Sequence, residues 1–132
     1  MSLNREKYQA FVTLLKQLRS DATTGPIVAA ELRRRVASLQ QLFVEEIVPL
    51  ADISVDGASQ REASLQKEDS RVQSYQTEMS KQLRLLEIDV MFFQGARQAS
   101  TVQTRLQTIS DRLTTLIQYC DAILQPQTEG EK

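Results

Sequence analysis

Apolar residues along this chain recur at alternating steps of three and four, the rhythm of one helix face, and no stretch alternates with the period of two that marks a half-buried strand. Tyr8, Phe11, Leu15, Leu18 and Ala22 form the first such stripe, on a helix predicted to start near Asn4. Thr23, Thr24 and Gly25 interrupt it, and Pro26 suits the first turn of a second helix, where a missing backbone donor is tolerated. The second stripe is Leu32, Val36, Leu39, Phe43 and Ile47. Pro49 should end this helix at Val48, because its ring clashes with the preceding turn and restricts the residue before it. A linker of about ten residues follows.

Ser59 and Glu62 have the spacing of a capping box and open a third helix, whose start could also lie a few residues earlier. Val72, Tyr75, Met79, Leu83, Leu86, Val90 and Phe93 make one stripe along it. Leu85, Ile88, Phe92, Ala96 and Ala99 make a second, rotated by more than a quarter turn and beginning only at Leu85. Ser74, Glu78 and Lys81 hold that angle upstream, so the helix is expected to be buried on one side early and on two sides later. A fourth helix, opening at Ser100 or Thr101, carries Val102, Leu106, Ile109, Leu113, Leu116, Cys120 and Ile123 at heptad spacing.

Lengths constrain the assembly. One helix over residues 59–98 is roughly 58 Å long, against about 36 Å for a compact chain of this size. The polar stretch QREASLQKEDSR should therefore overhang, with PLADISVDG running back along it and Leu50, Ile53 and Val55 in contact. Short connections make helices one and two, and three and four, antiparallel. The predicted fold is all-α: an antiparallel four-helix bundle with one long third helix, a single helical domain over residues 1–124 and a disordered polar tail over residues 125–132.

Composition narrows the chemistry. A chain of 132 residues with 41% hydrophobic content and a net charge of −1 suits one globular domain. Both signs of charge are interspersed, so nucleic acid is not an expected partner. No histidine is present, which removes the usual general base and the commonest metal ligand. The four glycines are scattered and form no phosphate loop, so no cofactor is expected. One cysteine makes no internal disulfide, and no secretory leader is evident at the N-terminus; the expectation is a cytoplasmic chain. No apolar run approaches the roughly 20 residues of a membrane span, so no membrane association is expected either.

Single residues invite chemistry and mostly lose it on inspection. Glu87 and Asp89 stand inside the most apolar segment, LRLLEIDVMFFQ, but at i and i+2 they face different directions and cannot share a substrate atom. Both are expected to reach water from the gaps between the stripes. Cys120 lies on a heptad stripe and reads as a small buried hydrophobe. Arg33, Arg34 and Arg35 point three ways around a solvated face, and Tyr75 and Tyr119 read as core.

The apolar surplus of the third helix remains, with Met91 outside both stripes. Either the bundle covers all of it, or the uncovered part is a patch for a second subunit or a partner helix. Leu85, Ile88 and Phe92 are then the partner-binding candidates, with Arg84 at the rim. One alternative is a homodimeric scaffold joined through the long helix. Another is a small all-helical enzyme of chorismate mutase type, which needs cations converging on an apolar cavity; Arg84 and Arg97 lie near the apolar belt, but no set of basic residues alternates with the core stripes.

The segments RVQSYQTEMSKQLRLLEIDVMFFQGARQ, RLTTLIQYCDAIL and LNREKYQAFVTLLKQLRSD together resemble the PatD-like heterocyst-frequency control proteins of filamentous cyanobacteria. The likeness spans both ends and the long helix, and VAAELRRRVASLQQLFVEEIVPLADISVDG carries little of it. The resemblance implies a cytoplasmic, non-enzymatic regulator that lowers the fraction of cells differentiating for nitrogen fixation and is linked to the cell-division protein FtsZ. It supplies no binding motif, so Arg84, Leu85, Ile88 and Phe92 rest on the stripe alone.

Overall fold

The computed structural model describes residues 2–24, 26–52 and 62–125, and every element among them is helical. Helix α1 spans Ser2–Thr24. In its last turn Thr23 Oγ1 donates to the Arg19 carbonyl at 2.9 Å and Thr24 Oγ1 to the Ser20 carbonyl at 2.8 Å, hydroxyl bonds back to carbonyls four residues earlier. Helix α2, Ala29–Leu42, begins three residues after Pro26, because Val28 at φ −84° and ψ 147° is still extended and serves as its N-cap.

Pro49 does not end this helix, contrary to the expectation from its ring. The chain passes through a π-helical turn, Phe43–Ile47, in which the Val48 N–H donates to the Phe43 carbonyl five residues back. It then continues as α3, Val48–Asp52. A π-turn accommodates one extra residue, which shifts the hydrogen-bond register just ahead of the proline and relieves the clash that a regular α-helix suffers. Residues 48–52 are thus helical rather than an extended strap, with Leu50 half-buried against the core. Ser59, Ile53, Val55 and the tail beyond Gln125 lie outside the described residues.

Helix α4, Glu62–Gly95, has 34 residues and is about 51 Å long. The Ala96 N–H donates to the Phe93 carbonyl at 3.1 Å, tightening its end, and α5 runs Ala99–Leu124 after the extended Gln98. Contacts run from α1 to α2, α2 to α4, α4 to α5 and α5 back to α1. Polar ties mark each seam: Asp21–Arg35 at 2.7 Å between α1 and α2, Gln40 Nε2 to the Leu83 carbonyl at 3.2 Å between α2 and α4, Arg71 Nη1 to the Ala122 carbonyl at 2.9 Å between α4 and α5, and Arg19 Nη1 to Thr114 Oγ1 at 3.0 Å between α5 and α1.

The core is one cluster drawn from the predicted stripes. Tyr8, Phe11, Leu15, Leu18 and Ala22 of α1 are buried, as are Leu32, Val36, Leu39, Phe43 and Ile47, and Ile109, Leu113, Leu116 and Cys120 of α5. From α4 come Met79, Leu83, Leu86, Val90 and Phe93. Gln76 is buried with them at 6% exposure, its Nε2 donating to Tyr8 Oη at 2.8 Å and to the Ile47 carbonyl at 2.7 Å. This amide ties α1, the π-turn and α4 at one point.

Candidate partner-docking face

Helix α4 turns one face to the core and meets α2 on one flank and α5 on the other. Gln40 of α2 reaches the Leu83 carbonyl and, at 3.4 Å, Glu87 Oε1. On the other flank Arg112 of α5 pairs with Asp89 at 2.7 Å. Between those flanks lies the second apolar stripe, which the described helices cover only in part. Ile88 is 40% exposed, Met91 61% and Phe92 53%, while Leu85 is half-buried. Spacings of i+3 and i+4 make Ile88, Met91 and Phe92 neighbours on one surface, continued toward the helix start by Leu85. Apolar side chains this large are seldom grouped in the open on a chain that has no use for them.

Guanidinium groups border the strip at both ends. Arg105, from α5, lies with Cζ 4.8 Å from the Phe92 ring centroid. Arg84 is exposed one turn before Ile88, on the α2 side. There it lines a groove of about 510 Å³ with Phe43, Val48, Thr77, Ser80 and Lys81. A second hollow of about 280 Å³, reaching exposed Val44 and Glu87, shares Phe43, Ser80 and Arg84 with the first. Arg84 thus stands on the ridge between groove and strip. Neither it nor Arg105 forms an ion pair among the described residues, whereas Lys81 meets Glu78 at 3.5 Å.

Of the four residues expected to meet a partner, Ile88 and Phe92 are open, Leu85 is partly covered, and Arg84 lies beside them. Met91, which belongs to neither stripe, is the most exposed of the group. Arg105 was invisible in the sequence, because its contact with Phe92 crosses from one helix to another. Gln76 did leave a signal: it falls three residues before Met79 and seven before Leu83, a polar residue on an apolar stripe.

The remaining candidates are structural. Asp89 does not reach water as expected; it is 8% exposed, and Arg112 supplies the counter-charge that makes its burial tolerable. Glu87 faces the other flank, so the two carboxylates cannot act as a pair. Cys120 is fully buried, and burial, with a smaller push from Asp121, moves its thiol up to about 12, far from a reactive thiolate. Burial likewise raises Tyr8, against the hydrogen bond from Gln76. Arg34 pairs with Glu31 at 2.6 Å, Arg35 with Asp21, and Arg33 reaches Gln94 at 3.4 Å, three directions from three consecutive residues. Tyr75 and Tyr119 pack ring to ring at 5.7 Å. Among the described residues no cluster of Cys, Asp and Glu suits a metal ion, and no helix is long and apolar enough to cross a membrane.

Residues 30–120 match the family model of the CRR41 C-terminal domain, a range that takes in α2, the π-turn, α4, most of α5 and every residue of the strip. No curated protein and no solved structure matches the chain.

Proposed function

The chain belongs to the CRR41 C-terminal domain family, and from the open strip on α4 we propose that it is a non-enzymatic, cytoplasmic regulator that works by docking a protein partner. The scaffold in this reading is an antiparallel four-helix bundle, supported by the closed cycle of helix contacts and by ties that join Lys7 to Glu46, Arg33 to Gln94, Arg71 to Ala122 and Arg5 to Leu124. One observation carries the functional part: Ile88, Met91 and Phe92 are contiguous, large and exposed on a helix whose opposite face is core. The resemblance to the PatD-like proteins adds the role, control of heterocyst frequency, with FtsZ as partner.

Purified FtsZ and the chain are mixed and co-sedimented, beside an Ile88→Ser, Phe92→Ser variant whose fold is checked by circular dichroism. The reading expects capture by the parent chain and loss of capture by a folded variant. Unfolding of the variant makes the strip structural and sinks the docking face. A folded variant that still binds moves the contact elsewhere, and absence of binding by the parent removes FtsZ. Light scattering over a range of concentrations tests the homodimeric scaffold, for which the same strip is the available interface.

A further inference from the structure

Building on that docking face, we infer that the segment it receives is an acidic amphipathic helix, with its apolar side on Ile88, Met91 and Phe92 and its carboxylates on Arg84 and Arg105. The strip follows one straight helix, so it is a narrow ridge, and from Leu85 to Phe92 it runs about 10 Å. Two turns of a second helix match that length and present their own i, i+3, i+4 residues to it. The border selects the charge of the occupant. Arg84 stands at the helix-start end of the apolar residues and Arg105 against Phe92 toward the other end, and neither has a carboxylate among the described residues. This is a local reversal on a chain whose net charge is −1. Of the two acids in this helix stretch, Glu87 is turned to Gln40 on α2 and Asp89 is paired with Arg112. Arg105 stacked on Phe92 leaves the edge N–H groups of its guanidinium available for a carboxylate.

A second copy of the chain fits this border poorly. A second copy docked on the strip brings two further guanidiniums, its own Arg84 and Arg105, to the same narrow interface. An acidic helix meets opposite charge there.

The test uses the full chain and two synthetic helical peptides with the same Leu and Phe stripe, one flanked by Glu and one by Lys, with binding read by fluorescence anisotropy. The Glu peptide is expected to bind about tenfold or more tighter at low salt, and the margin should shrink as salt screens the exposed pairs. Arg84→Glu with Arg105→Glu should reverse the preference, while Ile88→Ser with Phe92→Ser should weaken both peptides. Met91→Ser, at an exposed position, repeats the second test without adding charge. Equal binding of the two peptides, or a preference for Lys, overturns the acidic partner and leaves the docking face standing. Failure of both peptides to bind overturns the two together. Concentration-dependent dimerisation lost in Met91→Glu assigns the strip to a second copy and overturns the inference, as does Arg84- and Arg105-dependent binding to phosphatidylserine vesicles that the Glu peptide does not displace.

Discussion

Replacing Asp89 by alanine measures what a buried carboxylate contributes in a segment that is otherwise apolar. Asp89 Oδ2 accepts from Arg112 Nε at 2.7 Å, and Arg112 Nη1 also points at Gln82 Oε1, 3.5 Å away. Truncation removes the counter-charge and leaves the guanidinium against α4. Breaking a fully buried pair in this way costs roughly 3–5 kcal/mol. The Arg112 side chain keeps 30% of its exposure and so recovers part of its hydration, which brings the expected loss to about 2–3 kcal/mol. Glu87→Ala, two residues away, removes an exposed carboxylate whose contact is the Gln40 amide at 3.4 Å, and should stay within about 0.5 kcal/mol.

Urea unfolding followed by far-ultraviolet circular dichroism separates the two variants. With a slope of roughly 1–2 kcal/mol/M, Asp89→Ala lowers the midpoint by about 1–3 M while Glu87→Ala barely moves it. A double-mutant cycle with Arg112→Ala should return a coupling of about 1 kcal/mol or more. Asp89→Leu with Arg112→Met should recover most of the loss, because an apolar pair has no desolvation cost to offset. Equal shifts for the two carboxylates, or a coupling near zero, would refute the assignment of Asp89 as a paired, buried charge.

Leu86, fully buried on the core face, should lose roughly 2–5 kcal/mol on truncation to alanine, whereas Met91→Ser should change stability by less than about 1 kcal/mol; comparable losses in thermal melts mean the helix is phased wrongly. Gln76→Leu adds apolar volume yet should destabilise by about 1–3 kcal/mol, since Tyr8 Oη and the Ile47 carbonyl both lose their donor, and a stabilised variant contradicts the role given to that amide. Cys120 keeps its proton in the folded chain up to about 12, against an ordinary value of 9.0, so its contribution to stability is complete below about pH 9 and is lost as pH rises toward 12, by at most about 1.4 kcal/mol per pH unit. Tyr8, raised above 10.0, adds a loss of the same sign at higher pH; Cys120→Val should flatten the curve at the lower end of the window, and an unchanged urea midpoint across it in the parent speaks against a buried thiol.

Much of the fold was legible because three of the long helices bury a single stripe, and a single stripe is what periodicity reports. All five stripe residues of α1 and all five from Leu32 to Ile47 are buried. The misreadings have separate causes. Pro49 obeyed its steric rule, but the helix answered with a π-turn, a backbone adjustment that residue types alone do not announce. Asp89 is buried because Arg112, 23 residues away in sequence, faces it, and pairings across helices leave no local trace. Arg105 over Phe92 was hidden for the same reason.

The second stripe of α4 shows a different limit. Periodicity says which residues share an angle; coverage depends on how many neighbours stand at that angle. In the observed cycle α4 meets α2 on one flank and α5 on the other, and its core face closes over residues of α1 as well. Leu83, Leu86, Val90 and Phe93 fit within that arc and are buried. Leu85 is half-covered at its edge, and Ile88, Met91 and Phe92 fall beyond it. A helix apolar over a wider arc than its neighbours span leaves the excess uncovered among the described residues. That excess begins only at Leu85, because Glu78 and Lys81 keep the same angle polar one and two turns earlier. In the docking proposed above, that boundary between polar and apolar along one face is where the partner's contact begins, with Arg84 at the boundary.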